Sequence, residues 1–306
     1  MTVPCLYIIG NGFDCFHGLP TRYYDYGDYI KSHDCRFYSQ LMDFYPVFKN
    51  KKDEGISILW EDFEKGLKEI DLELLWQSIN INLVQYGDSD WRDEDNHRAQ
   101  LFVQTLVDNL TDSLVNHLIN WICSIDVMKS IGRLRLEKRS IYLTFNYTKT
   151  LESYYNIPSN QVFHIHGTTD NPGSIITGHN LKLSPTVNDF DDIRQFECAK
   201  IIDNDYFQKM YKPTNDLITK NNRFFLSLTD VTDIVIIGHS MSEIDLPYFK
   251  KIQSVVKDDT IWRISFKDKE DKSKHYDKRA QCLVDIGVRV NNIVPFLMED
   301  ITIRGL

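Results

Sequence analysis

The chain lacks the features of a zinc-ribbon, disulfide-stabilised or membrane-spanning protein. Its six cysteines are scattered over 306 residues and none forms a Cys-x-x-Cys pair, which excludes a zinc ribbon and gives no disulfide framework. No apolar run approaches the roughly 18 residues needed to cross a bilayer, and no basic region precedes an apolar segment at the N-terminus. We therefore expect a cytoplasmic protein with reduced thiols and no membrane contact.

Clustered positive charge is also missing. Lysine and arginine number 35 against 44 aspartates and glutamates, which gives a net charge of −9 at pH 7. A broad nucleic-acid footprint needs clustered Lys and Arg, so nucleic acid is not an expected partner. Ordinary hydrophobic content and the absence of low-complexity runs indicate a folded globular protein of one or two domains.

The most informative segment that is present lies at the start of the chain. Residues 3–9 predict an apolar strand that runs directly into Gly10-Asn11-Gly12-Phe13-Asp14. A Rossmann-type sheet presents such a turn to a nucleotide diphosphate, because glycine lets the backbone approach the phosphates and the next helix offers free N–H groups. The dehydrogenase fingerprint fails twice: Cys15 replaces its third glycine, and residues 21–34 predict an aromatic helix instead of a second strand. The turn therefore indicates a nucleotide site but not hydride transfer.

The rest of the chain divides into a helical block and a strand-rich block. Residues 21–136 are mostly helical, and their clearest helix has apolar side chains at intervals of three and four, namely Val103, Val107, Leu110, Leu114, Leu118, Trp121 and Ile125. Strands are predicted at residues 140–145, 161–165, 174–177, 233–237, 260–266 and 292–297. Residues 234–237 are apolar on both faces, as in the centre of a parallel sheet covered by helices.

This order of elements predicts an α/β fold, Rossmann-like and doubly wound, with a mainly parallel sheet. Residues 1–20 and 137–306 would form the Rossmann domain. Residues 21–136 would be a large helical insertion after the first βα turn.

Polar groups stand where three of the predicted strands end. One strand runs into Asn146-Tyr147-Thr148, the next ends at His166-Gly167, and a third ends at Gly238-His239-Ser240. In an open α/β sheet, ligands bind at the carboxyl ends of the strands. We therefore expect these loops and the first glycine turn to line one cleft.

The motif order resembles the AbiH family of bacterial phage abortive-infection proteins over almost the whole chain. The motifs are Gly-Asn-Gly-Phe-Asp followed by His-Gly-Leu-Pro, then Thr-Phe-Asn-Tyr-Thr, His-Ile-His-Gly, and Gly-His-Ser followed by Glu-Ile-Asp. That family is related to sirtuin-like NAD-binding domains, so the resemblance implies a sirtuin-like sheet. By this resemblance, Gly10 and Gly12 belong to a phosphate turn, and Gly238 and Ser240 belong to a nucleotide-binding turn. Leu19, Pro20 and Arg22 belong to a cofactor loop. Asn146 and His166 take the positions of the sirtuin asparagine and catalytic histidine.

The same resemblance implies an activity. The zinc cysteines and the acyl-peptide groove of sirtuins are not recognisable here, so we expect cleavage of NAD itself and not protein deacylation. Phage-defence proteins with sirtuin-like domains consume NAD, which implies hydrolysis to nicotinamide and ADP-ribose, with NAD as substrate and no metal. Such an effector harms its host when active, so a phage or host trigger protein is expected to control it, in a homo-oligomer or with a defence-system partner.

Each proposed site residue has a chemical role and some have a competing one. A histidine suits the base role at neutral pH, which we assign to His166, and the amide of Asn146 can orient both a ribose hydroxyl and a water. Asn11, in the glycine turn, is assigned to the cofactor. Asp14 either stabilises developing positive charge or caps the following helix. Glu243 either binds the adenosine ribose or caps a nearby helix.

Two other functions stay open from the sequence. A nucleotide-binding sensor or interaction module would keep the fold without a reaction, although it has no need for both Asn146 and His166. A metal-dependent nuclease is the weaker alternative. It would use His164 and His166, which point to the same face if their strand continues, together with His179 or His239.

Overall fold

The computed structural model describes residues 5–45, 63–83, 92, 97–132, 134–179 and 193–301. The described residues form two compact units. The first takes its residues from Met1–Thr21, Ile122–Ile176 and Pro213–Leu306, and the second from Arg22–Trp121 and Thr177–Lys212. The first segment of the second unit therefore ends at Trp121, before the predicted boundary at residue 136, and the unit also includes the later segment Thr177–Lys212.

Within the described residues of the first unit, six parallel strands form one sheet. The strands are β1 Leu6–Ile9, β2 Ile141–Thr144, β3 Val162–His164, β4 Asp233–Ile237, β5 Ile261–Phe266 and β6 Ile293–Leu297, and they lie in the order β3-β2-β1-β4-β5-β6. Doubly wound dinucleotide-binding folds have this order, with the direction of winding reversing between the first and fourth strands. The predicted α/β fold with a parallel sheet is confirmed.

The helices connect and cover these strands. They are α1 Asn11–Phe16, α2 Tyr23–His33, α3 Cys35–Phe44, α4 Phe63–Gly66, α5 Leu72–Ile81, α6 Arg98–Asp108, α7 Leu114–Ser124, α8 Ile193–Ile201, α9 Thr214–Lys220, α10 Asn222–Leu226, α11 Leu246–Gln253, α12 Lys269–Asp271 and α13 Asp277–Asp285. No helix in the described part of the chain is long and apolar enough to span a membrane.

Both faces of the sheet are buried, which explains why β1 and residues 234–237 of β4 are continuous apolar runs. On one face, Leu6 and Ile8 of β1 share a core with side chains of α9, α10, α11 and α13. On the other face, Tyr7 and Ile9 pack with Phe13 of α1 and with Leu151 of a π-helix at Thr150–Tyr154. A strand between two such layers presents apolar side chains at every position.

One predicted strand is wrong. Residues 174–177 form no strand, because Pro172–Ser174 is a short 3₁₀ turn and the main chain then continues without ladder pairing. The Ile176 N–H instead donates to the carbonyl of His166 at 2.9 Å. The β-branched residues that suggested a strand bring the chain back beside the end of β3.

The second unit contains the predicted helices. The aromatic segment forms α2, and α6 continues through a π-helix at Asn109–Ser113 into α7, with the predicted apolar stripe buried along most of its length. A buried ion pair also lies in this unit, where Lys212 Nζ approaches both carboxylate oxygens of Glu64 at 3.2 and 3.1 Å. Thr177 Oγ1 donates to the same carboxylate at 3.3 Å.

Candidate functional site

The glycine turn after β1 packs directly against the loop after β4. Gly10 N–H donates to Ile237 O at 3.0 Å, and Gly12 N–H donates to Gly238 O at 2.8 Å. A Cβ added to Gly12 would lie 2.8 Å from Gly238 Cα, and one added to Gly238 would lie 2.3 Å from Phe13 N. The contact between the two loops therefore already requires glycine at both positions.

Asn146 reaches this turn from the loop after β2. Its side chain is largely buried, the residue being 8% exposed, and its Nδ2 donates to Gly10 O at 3.2 Å. Its main-chain N–H donates to Thr144 Oγ1 at 3.1 Å. The loops after β1 and β2 therefore meet at the carboxyl edge of the sheet, as expected.

Asp14 is the buried carboxylate of this part of the site. It lies inside α1, whose N-cap is Gly10, so the alternative interpretation of Asp14 as the helix cap is wrong. Thr148 Oγ1 and Thr150 Oγ1 donate to its two carboxylate oxygens at 2.5 and 2.8 Å. Burial raises the pKa of Asp14 to about 6, although the hydrogen bonds from Thr148, Thr150 and Asn146 lower it. At pH 7 this carboxyl group is mostly ionised.

His164 joins the same group of side chains. Its Nδ1 lies 3.1 Å from Asn146 O, and its Nε2 lies 2.9 Å from Glu152 Oε1. Glu152 belongs to the π-helix that follows the Asn146 loop. His164 is therefore a neighbour of Asn146 and Asp14, in agreement with its electrostatic effect on Asp14.

His166 packs among different side chains from those around His164. β3 ends at His164, so the condition under which the two histidines would share a face, a strand that continues to residue 166, is not met. The His166 ring packs edge-on against Phe145, and its Nε2 lies 3.3 Å from the hydroxyl of Tyr248 in α11. His166 is only 3% exposed.

Asp245 stands between His166 and His239. Its Oδ1 is 4.0 Å from His166 Nε2 and its Oδ2 is 3.7 Å from His239 Nε2, while Ser242 Oγ donates to Oδ2 at 3.2 Å. The main-chain N–H of Met241 donates to His239 Nδ1 at 2.9 Å. That bond requires Nδ1 to be unprotonated, so His239 in its neutral form directs an Nε2–H toward Asp245.

The other predicted cofactor residues lie at the surface. Asn11 is exposed and its Nδ2 donates to Thr21 O at 2.8 Å, while Ser240 and Glu243 are both exposed in the loop after β4. The cap alternative for Glu243 is wrong, because Asp245 is the N-cap of α11.

The predicted cofactor loop contains a buried and an exposed position. Leu19 is buried and Pro20 is exposed. Arg22 belongs to the second unit, where it is exposed and precedes α2, and its role stays a prediction.

Several contact residues escaped the sequence analysis. Thr148, Thr150 and Glu152 follow Asn146 at alternate positions, a polar spacing that could have indicated a shared face. Asp245 is the acid of the Glu-Ile-Asp motif, whose acids are candidates for the adenosine ribose, and its position between two histidines has no local signal, as the contact of Tyr248 has none. The described residues contain no group of three or more His, Cys, Asp or Glu side chains placed to hold a metal ion.

The chain matches the model of a known protein family. The model of the family described as "Bacteriophage abortive infection AbiH" matches residues 6–266. No curated protein and no solved structure matches the chain. The matched range contains every candidate site residue described above.

Proposed function

The chain belongs to the AbiH family of bacteriophage abortive-infection proteins, and on that premise we propose that it is an antiphage effector that hydrolyses NAD between nicotinamide and ribose. The family implies a role in abortive infection. The reaction and its substrate are our proposal. The protein would act in the cytoplasm, under the control of a phage or host trigger protein, as a homo-oligomer or with a defence-system partner.

The observation that carries the proposal is the meeting of Asn146 with the first glycine turn at the carboxyl edge of the sheet. Asn146 Nδ2 lies 3.2 Å from Gly10 O, between residues that are 136 positions apart in the sequence. The fold reverses its winding beside this point, between β1 and β4, where open α/β sheets bind their ligands. His166 follows the neighbouring β3 and supplies a titratable imidazole.

The proposed reaction needs little acid catalysis. The C1′–N bond to nicotinamide breaks with its electron pair moving to the ring nitrogen, which neutralises the charge of the pyridinium. A water oxygen bonds to C1′, and its proton passes to His166. Asn146 would orient the ribose hydroxyl and the water, exchanging its present bond to Gly10 for one to substrate. Asp14, ionised above a pKa of about 6, would favour the positive charge that develops on the ribose.

A second candidate is a nucleotide-binding sensor or interaction module without catalysis. The close packing of Gly10 and Gly12 against the loop after β4 favours the interaction module in particular, because this packing accounts for both glycines without a phosphate. The 3% exposure of His166 also favours it, since a base must reach its substrate. Either a silent resting state of an enzyme or a permanent binding module would have these properties.

The two candidates are separated by incubating purified protein with NAD and measuring nicotinamide and ADP-ribose by chromatography. We expect Asn146→Ala and His166→Ala each to lower turnover at least about 100-fold, the effect of losing a positioned base or orienting group. His33→Ala, an exposed histidine of the second unit, is the control and should keep wild-type turnover.

The outcomes are distinct. Equal turnover in all four proteins would refute the assigned site. NAD binding by calorimetry without turnover, combined with unchanged cellular NAD during phage challenge, would favour the sensor. Neither binding nor turnover, with unchanged cellular NAD, would overturn both candidates.

A further inference from the structure

We propose that His164 and Glu152 form a positioning pair that fixes the main chain at Asn146 for the reaction. The inference rests on the proposed function for its link to turnover. The pair itself is defined by two contacts among described residues, that of His164 with the Asn146 carbonyl and that of His164 with Glu152. These contacts connect the end of β3, the Asn146 loop and the π-helix that follows it.

The hydrogen-bond pattern fixes which atom of His164 acts on Asn146. A carbonyl oxygen only accepts, so the 3.1 Å contact requires His164 Nδ1 to donate to Asn146 O. The 2.9 Å contact between Nε2 and Glu152 Oε1 then needs one further proton, on the ring or on the carboxyl group. The pair therefore carries no net charge, and neither nitrogen of His164 is directed at a substrate.

Burial makes the two partners dependent on each other. The side chains of His164 and Glu152 are 10% and 9% exposed. The second carboxylate oxygen of Glu152 is buried and has no hydrogen-bond partner among the described residues. A buried ion pair adds little net stability compared with apolar packing, so its stability alone does not account for this arrangement. Orientation of the loop does account for it.

The main chain of Asn146 is held from both sides. Its N–H donates to Thr144 Oγ1 at 3.1 Å and its carbonyl accepts from His164 Nδ1 at 3.1 Å. With both groups fixed, the direction of the Asn146 Cα–Cβ bond is set, and the carboxamide reaches the Gly10 carbonyl. A displacement of about 1 Å at a reacting group can lower the rate about 100-fold, so such fixation has a measurable consequence.

The test compares two substitutions that preserve different atoms of His164. In His164→Asn, the side-chain amide can occupy the position of Nδ1 and still donate to Asn146 O, while the buried Glu152 carboxyl group can bind the proton of the pair itself and stay uncharged. In His164→Gln, the longer amide can occupy the position of Nε2, so the bond to Asn146 is lost while the contact with Glu152 remains. Glu152→Gln keeps the shape of the pair and removes its extra proton, since the amide can donate to Nε2.

We expect His164→Asn to keep kcat within about threefold of wild type, and His164→Gln to lower kcat about 10- to 100-fold with KM changed less than about twofold. Glu152→Gln should resemble His164→Asn. Loss of turnover in His164→Asn and Glu152→Gln would overturn the positioning role, because it would show that the proton of the pair takes part in the chemistry.

A second measurement does not depend on turnover. Hydrogen–deuterium exchange of the peptide containing residues 145–149 should be faster in His164→Gln than in wild type and unchanged in His164→Asn, with circular dichroism confirming that each variant folds. Unchanged exchange in His164→Gln would refute the positioning pair. Faster exchange with wild-type kcat would refute its link to the reaction. Faster exchange in a protein whose wild type cleaves no NAD would retain the pair and reject the proposed function.

Discussion

Replacing Asp14 with asparagine should change how the stability of the first unit depends on pH. Asp14 is 1% exposed, and burial raises the pKa of its carboxyl group from an ordinary 3.8 to about 6. The folded protein then binds this proton more tightly than the unfolded chain does. Stability contributed by the protonated group is therefore lost as pH rises from about 4 to about 6, and the loss persists at higher pH.

The expected magnitude follows from the same two values. A shift of one pH unit in a pKa corresponds to about 1.4 kcal/mol, so the change from 3.8 to about 6 corresponds to about 3 kcal/mol. The side chain introduced by Asp14→Asn cannot ionise, and the Thr148 and Thr150 hydroxyls can rotate to match its amide, since each can donate or accept. The stability of Asp14→Asn minus that of wild type should rise by about 2.4 kcal/mol between pH 4 and pH 7, less than the full value of about 3 kcal/mol because at pH 4 an unfolded aspartate with a pKa of 3.8 is only partly protonated.

Hydrogen exchange measured on peptides from β1 and β2, corrected for intrinsic rates, gives the free energy of opening of the first unit without a contribution from the second. Asp277→Asn, an exposed aspartate of the same unit, is the matched control and should differ from wild type by less than about 0.5 kcal/mol at every pH. A difference between Asp14→Asn and wild type that is independent of pH, or that falls as pH rises, would refute the reasoning.

Two further predictions concern loop packing and the second unit. Gly238→Ala should destabilise the first unit by about 2 kcal/mol or more beyond the effect of Gly132→Ala, the control. Both glycines have positive φ, but a Cβ would lie 2.3 Å from Phe13 N at Gly238 and no closer than 3.7 Å to a neighbour at Gly132. Equal unfolding temperatures of the two variants would contradict the packing argument. Lys212→Met should lower the free energy of unfolding of the second unit by about 3–5 kcal/mol, because it leaves the Glu64 carboxylate without its cation. Adding Glu64→Leu should recover most of that loss in urea unfolding. An unchanged stability of the single variant would show that the ion pair contributes nothing.

Much of the sheet was predictable because its strands carry their own signal. Residues 234–237 are apolar on both faces, and this pattern alone placed β4 at the centre of a parallel sheet, where it pairs with β1 and β5. The meeting of Asn146 with Gly10 was also predictable, since adjacent parallel strands bring their carboxyl ends to one edge. These inferences needed only alternation, strand length and the direction of the strands.

Other features depend on contacts that no local pattern records. The helices of residues 193–212 pack on α6, so they belong to the second unit, whereas helical periodicity reports an apolar stripe and not its partner. His164 and His166 share a face only if their strand continues, and no local pattern shows that β3 stops at His164. Beyond the strand, His166 is placed by its contacts with Phe145 and Tyr248.

The glycine turn shows how far a motif can be taken as evidence for a ligand. Gly10, Gly12 and Gly238 each have a structural reason to be glycine in the free protein, because a Cβ at any of them would lie within 2.8 Å of the facing loop. The turn is therefore explained by packing whether or not a phosphate binds there. The case for NAD depends instead on Asn146 and His166, two polar side chains at strand ends that the packing of the turn does not explain. A cleavage assay on variants of those two residues thus tests the function more directly than any substitution in the turn, where loss of folding and loss of binding would look alike.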